Sequence, residues 1–310
     1  MWSRRAFMTA AVAAGAAGPV RAGEGGYVDL MPDFWRAYDA AQGQPDRAAA
    51  LIETFFTPKA EIYAGAGLKP AGPRVTKWLA AFDPVAPDVR RLTVQFPTRY
   101  AGHVRRFAKA FPDFRRDQAP IYLMPSMFSF DGHLQPWRGK VPLFIGLDGI
   151  VRYHGADADL SVFLDHEAFH LYQAQVQAKV DPQLGLDDPE PLYASVWREG
   201  VATYVSGRLN PMASRLHVML DDKPVDDASA QVVAAGARDL LDHLDSTADP
   251  DQARFLSAGY KGETPARLGY RIGFEVARSA GRRLSLAQLA AVPRKLLRDL
   301  MARELKVLAG

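Results

Sequence analysis

The run His166-Glu167-Ala168-Phe169-His170 constrains this chain more than any other stretch of its 310 residues. On a helix, residues four apart stand one turn above each other. His166 and His170 then point the same way and come close enough to share one metal ion. Glu167 stands beside the pair, placed to act on a metal-activated water rather than to bind the metal. The chain holds seven histidines in all, so the spacing is infrequent by chance in this composition. The plain alternative is a helix that carries two exposed histidines.

The flanks favour a well-delimited helix. Asp157 and Asp159 follow the turn His154-Gly155-Ala156 as N-cap candidates, and neither Gly nor Pro occurs from Leu160 to Ala178. At 100° per residue, Leu160, Phe163, Leu164, Leu171 and Ala174 gather on one stripe. Glu167 falls inside that stripe, with His166 and His170 along its edge. A carboxylate on a core-facing stripe is costly unless something pairs with it. A dication and its water would be such a partner.

A third ligand is on offer downstream. A second helix is expected from Pro191 to about Gly207, carrying Trp197-Arg198-Glu199-Gly200-Val201-Ala202-Thr203-Tyr204. Glu199 shares a face there with Leu192, Val196, Ala202, Thr203 and Ser206, so it too needs a buried partner. Gly200 and Ala202 would let another helix approach closely. Two imidazole nitrogens and one carboxylate oxygen around Zn²⁺ leave a fourth tetrahedral position for water. The simpler alternative is a salt bridge from Glu199 to Arg198 or Arg208.

His166-Glu167-x-x-His170 followed by Glu199-Gly200-x-Ala202-x-Tyr204 resembles the gluzincin group of zinc metallopeptidases. The second segment is similar to the E-G-x-A element of zinc aminopeptidases and of poorly characterised exported bacterial zincin-like proteins. The resemblance covers residues 160–207. It implies His166, His170 and Glu199 as zinc ligands, Glu167 as general base, and hydrolysis of peptide bonds. Residues 171–198 make a longer spacing than in the best-known gluzincins, with the extra length in the loop from Val180 to Pro191. No G-x-M-E-N run occurs, so the resemblance does not extend to an N-terminal amine anchor. No further His closely follows His170, which argues against the metzincin ligand set.

Peptide hydrolysis on such a site calls for a second donor to the developing oxyanion. Candidates are Tyr270, Tyr204, His217 and Arg267. Tyr270 is preferred because Gly269 and Gly273 flank it and would permit close backbone approach. Asp165 either orients a ligand histidine or compensates helix N-terminal charge. His103, His133, His154 and His243 are expected at the surface or in loops.

The first residues suggest a compartment. Ser3-Arg4-Arg5-Ala6-Phe7 is similar to a twin-arginine export signal, followed by an Ala- and Gly-rich stretch and a small-residue cleavage site at Val20-Arg21-Ala22. The stretch is too short for a comfortable membrane span, with an uncleaved amphipathic anchor as the alternative. A periplasmic or secreted protein is expected, with no stable membrane span once the signal is removed. The chain has 38 Lys+Arg against 35 Asp+Glu, and Arg4, Arg5 and Arg21 account for the whole excess. A neutral remainder gives no reason to expect a nucleic-acid partner; a peptide or protein substrate is the expected one. The absence of cysteine excludes disulfides and thiolate ligands.

The expected fold is α+β and predominantly helical, zincin-like, with a small sheet packed on the histidine helix. The expected division is a signal over 1–22, a helical region over 23–112 and a catalytic region over 113–310, or one continuous domain over 23–310. Helices are expected at Met31–Tyr38, around Asp46–Ile52, from Val75, from Tyr100 to Phe111, at Ala228–Leu244, at Leu268–Ala280, and over Leu284–Leu308 with a break near Pro293. The aromatics Phe34, Trp35, Tyr38, Phe55, Phe56 and Trp78 read as core. Strand signals fall at Leu92–Phe96, Ile121–Met124, Met127–Phe130, Val141–Leu147 and Ile150–Tyr153, with turns at Asp131-Gly132 and Asp148-Gly149. An edge strand of such a sheet could hold an extended peptide. Ala253–Gly262 reads as a connection. Two other readings stay open: a non-catalytic periplasmic binding or cell-envelope protein with the same fold, and a structural domain without metal.

Overall fold

The computed structural model of the chain describes residues 26–184 and 188–310; the expected export signal over 1–22 lies outside them. The described residues are mostly helical with one four-stranded sheet. They divide into two compact units, each discontinuous in sequence. One holds residues 26–102 and 115–158, the other 103–114 and 159–310. Among the described residues no helix is long and apolar enough to cross a membrane.

In the first unit the aromatic residues read as core do pack together. Phe34 meets Phe55 and Phe82 edge to face, and Trp78 lies tilted against Phe82. The strands β1 (Val28–Asp29), β2 (Ile121–Met124), β3 (Gly132–Leu134) and β4 (Leu143–Gly146) form a sheet of order β1-β2-β4-β3. β1, β2 and β4 run parallel, with Ile121 opposite Leu143; β3 is antiparallel to β4. β4 is internal and buried throughout, which its unbroken apolar run requires. β1 and β3 are the edges.

Three strand expectations fail here, each for a local reason. Leu92–Phe96 lies inside the helix Ala86–Ala110, which runs through Pro97. Val89, Leu92, Phe96, Tyr100, His103 and Phe107 are buried at spacings of three and four, and Val94 is 75% exposed. A strand would have put Val94 on the same face as Leu92 and Phe96. Met127–Phe130 is a turn, with Met127 and Phe128 both in the left-handed region at φ 55°. The buried Asp148 carboxylate fixes it, accepting from Ser126 N, Ser126 Oγ, Phe128 N and the Trp78 indole. Burial holds the Asp148 carboxyl above its ordinary pKa despite those four donors. Ile150–Tyr153 belongs to the helix Leu147–His154, so Asp148-Gly149 is its first turn and not a hairpin. Gly149 is needed there because a Cβ would stand 1.9 Å from Phe130 O.

The second unit is helical. Its core gathers Phe107, Phe111, Phe169, Tyr172, Leu192, Trp197, Val201, Val205, Ile272, Val276 and Leu305. The histidine helix spans Leu160–Val180 and starts as expected, with the Asp159 carboxylate accepting from Ser161 N and Val162 N. Leu160, Phe163, Leu164 and Leu171 are buried as the stripe requires, whereas Ala174 is exposed. Burial extends around to Val162, Ala168, Phe169, Tyr172 and Val176, so this is an internal helix and not a one-faced one. The glutamate helix spans Leu192–Leu209 and the tyrosine helix Leu268–Ala280. Ala253–Gly262 is not all connection: Asp249–Leu256 is helical, with Pro250 at its start and Asp249 and Asp251 in its first turn.

Candidate metal centre

A glycine-to-glycine helix crossing builds the centre. A Cβ on Gly200 would come within 2.1 Å of Gly273 C, and one on Gly273 within 2.4 Å of Val196 O. The glutamate and tyrosine helices therefore touch backbone to backbone, as the small residues of both segments suggested. The crossing brings Glu199, next to Gly200, alongside Tyr270, one turn before Gly273. The faces of Leu192, Val196, Ala202, Thr203 and Ser206 are buried, so Glu199 emerges from a dry surface.

Three ligand atoms converge across these helices. His166 Nε2 and His170 Nε2 are 3.0 Å apart, and Glu199 Oε2 is 3.6 Å from the first and 3.3 Å from the second. The imidazoles stand edge to face at 86°. The Nδ1 atoms of both rings are buried and have no hydrogen-bond partner among the described residues, so each ring turns Nε2 towards the cluster. Zn–N bonds of about 2.0–2.1 Å in a tetrahedral site put neighbouring ligand atoms roughly 3.3 Å apart. The observed separations bracket that value, so the donor set fits a tetrahedral dication in both chemistry and span. These three residues form a His/Asp/Glu group able to hold a metal ion among the described residues.

Electrostatics separate the three groups. Burial disfavours charge on Glu199, yet the charge of His170, hydrogen bonds from both imidazoles and the Arg198 guanidinium together hold its carboxyl well below the usual range. Burial pushes the His166 imidazole down to about 4. Burial acts on His170 in the same sense, but the Glu199 carboxylate reverses it and raises that pKa. The two imidazoles of the pair are thus shifted in opposite directions, His166 down and His170 up. Glu167 is half-buried on the histidine helix, and its charge also favours the protonated His170.

The second oxygen of Glu199 is engaged too. Arg198 Nε lies 3.4 Å from Glu199 Oε1, and its Nη1 donates to Glu190. The alternative of an Arg198 salt bridge and the ligand arrangement are thus both present, one on each carboxylate oxygen. Burial works against the Arg198 charge, but Glu190 and Glu199 outweigh it and its pKa is raised. Arg208 instead donates to the Tyr204 hydroxyl.

Of the four oxyanion-donor candidates, two lie at the centre. The Tyr270 ring is nearly parallel to His166, with centroids 6.4 Å apart. Burial and the nearby Glu199 carboxylate push its phenol well up, so it stays a donor. The Arg267 guanidinium covers the other candidate's ring, 4.3 Å from the Tyr270 centroid. Arg267 itself takes a left-handed conformation, φ 60°, at the start of the tyrosine helix. Tyr204 is held by Arg208 and packs on Phe274, and His217 is held by Asp221.

Two expectations about neighbouring residues need correction. Asp165 orients neither ligand histidine: its fully buried carboxylate accepts from His103 Nδ1 at 2.5 Å, from Arg106 at 3.0 and 3.2 Å, and from Asn210 at 2.7 Å. It ties the histidine helix to the side chains of His103 and Arg106 and, through Asn210, to the end of the glutamate helix. His103 is accordingly buried, not superficial, and His154 is buried with its Nε2 2.7 Å from Asp131. Glu190 was not singled out from the sequence. The signal was its place just before the helix-opening Pro191, from which a carboxylate reaches the first turns at Ser195 and Arg198. Comparisons with protein-family models, with curated proteins and with solved structures return no match to this chain.

Proposed function

We propose that the chain is an exported zinc-dependent peptidase of gluzincin type with a zincin-like fold, working in the periplasm or outside the cell on peptide or protein substrates. One observation carries the reading: Nε2 of His166, Nε2 of His170 and Oε2 of Glu199 stand at 3.0, 3.3 and 3.6 Å from one another, the span of three ligands around one tetrahedral ion.

His166, His170 and Glu199 would hold the ion. Zinc supplies a lowered water pKa and a polarised substrate carbonyl when bound. Glu167, on the same helix as both imidazoles, takes the proton from the attacking water and passes it to the leaving amine. The Tyr270 phenol, kept protonated by burial and by the Glu199 charge, donates a hydrogen bond to the oxygen on which negative charge develops.

The test is hydrolysis of a broad peptide library by zinc-loaded protein, with Glu167→Gln as the comparison. The variant is expected to keep zinc and lose about 10²–10⁴-fold in rate, as loss of a general base does. Equal cleavage by both forms would remove Glu167 from the mechanism. Zinc binding without cleavage of any peptide by the wild type would favour the non-catalytic binding protein.

A further inference from the structure

We infer that Arg198 is the positioning residue of the centre: with Glu190 behind it, it holds Glu199 through Oε1 so that Oε2 alone faces the imidazoles. The inference rests on the proposed zinc site and adds to it a residue with no ligand atom of its own.

The geometry divides the Glu199 carboxylate cleanly. Oε2 is the oxygen 3.3 and 3.6 Å from the two histidine nitrogens, and Oε1 is the one 3.4 Å from Arg198 Nε. Consecutive helical residues point about 100° apart. An arginine beside a glutamate therefore meets that carboxylate only if its chain bends along the helix surface, which requires an anchor at the far end. Glu190 is that anchor. Its Oε2 accepts from Arg198 Nη1 and from Ser195 Oγ at 3.0 Å, and its Oε1 is 3.9 Å from Arg294 Nη2. Its backbone carbonyl accepts from Gln252 Nε2 at 3.0 Å. The chain Glu190–Arg198–Glu199 thus runs from a fixed loop end to the oxygen of the ligand carboxylate that faces away from the imidazoles.

Charge supports the same assignment. Arg198 is the cation that stands between the Glu190 and Glu199 carboxylates. Removing Arg198 leaves two carboxylates, Glu190 and Glu199, without the cation between them. It also frees the Glu199 carboxylate to rotate and offer either oxygen. Outer partners that orient ligands typically contribute 10–100-fold to metal affinity. The long segment between His170 and Glu199 gains a purpose on this view, because it carries Glu190 just before the helix-opening Pro191.

The experiment measures zinc affinity by chelator competition and the visible spectrum of the Co²⁺-loaded protein, for wild type, Arg198→Gln, Arg198→Lys and Glu190→Gln. Arg198→Gln is expected to weaken zinc binding about 10–100-fold and to alter the Co²⁺ bands. Arg198→Lys should recover part of the affinity, and Glu190→Gln should weaken it in the same direction but less. Wild-type affinity and an unchanged Co²⁺ spectrum in both Arg198→Gln and Glu190→Gln would overturn the inference and leave the zinc reading intact. If Arg198→Gln does not fold, Glu190→Gln decides alone by the same two readouts. A wild type that binds no zinc would overturn both.

Discussion

Gly200→Ala should destabilise the protein, against the usual trend for a helical glycine. Alanine is favoured over glycine inside a helix by about 1 kcal/mol. Here the added Cβ would stand 2.1 Å from Gly273 C, 2.3 Å from its Cα and 2.5 Å from its O, all backbone atoms of a packed helix. Ordinary contact between carbons begins near 3.5 Å, so the glutamate and tyrosine helices must part by roughly an ångström. Overpacking typically costs about 1–3 kcal/mol, and a rigid backbone neighbour places this case at the upper end. Setting the propensity gain against it leaves about 1–2 kcal/mol net, or roughly 2–8 °C in Tm for a chain of this size. Gly72→Ala is the control, because a Cβ there meets nothing within 4 Å among the described residues. Thermal unfolding of the three metal-free proteins should order them Gly72→Ala at or above wild type, then Gly200→Ala below. A Gly200→Ala protein as stable as Gly72→Ala would refute the crossing.

Asp165→Asn should cost about 2–4 kcal/mol in urea unfolding, since it removes the charge facing buried His103 and half-buried Arg106; a loss under about 1 kcal/mol would contradict the network. Glu304 accepts from Ser279 and from Arg283. Burial pushes its carboxyl up, but those hydrogen bonds and Arg303 outweigh it and the pKa falls below the ordinary 4.5. A depressed folded pKa means stability that is present above 4.5 and lost as pH falls through the folded value. The stability gap between wild type and Glu304→Gln should therefore be constant near neutrality and shrink as the pH drops below that range. A gap independent of pH from neutrality downward would count against the ion cluster.

How much of this could be seen in the sequence depends on how local each cause is. The histidine helix was legible to its N-cap because Asp159 bonds its own next residues. The tyrosine helix was legible end to end because its apolar spacing is regular. The pairing of Gly200 with Gly273 was only half visible: each glycine advertised close approach, but neither could name its partner. The helix Ala86–Ala110 is hidden because Leu92–Phe96, just before Pro97, has strand composition, although the ladder of apolar residues continues from Val89 to Phe107. The turn at Met127-Phe128 depends on Asp148, some twenty residues on, which looked like turn composition itself. Asp165 was misassigned for the same reason. Its partners His103, Arg106 and Asn210 are remote in sequence, so only a folded chain brings them together. The interleaving of the two units left no step in composition to mark it.

Zinc content settles the ligand set. Protein made without an affinity tag is stripped by chelator, reloaded with zinc, passed through a desalting column and assayed for metal, alongside Glu199→Ala. The wild type should retain one zinc ion per chain and Glu199→Ala should lose most of it, because a tetrahedral site reduced to two imidazoles binds weakly. Equal zinc in both proteins, or none in the wild type, would contradict a site built from His166, His170 and Glu199.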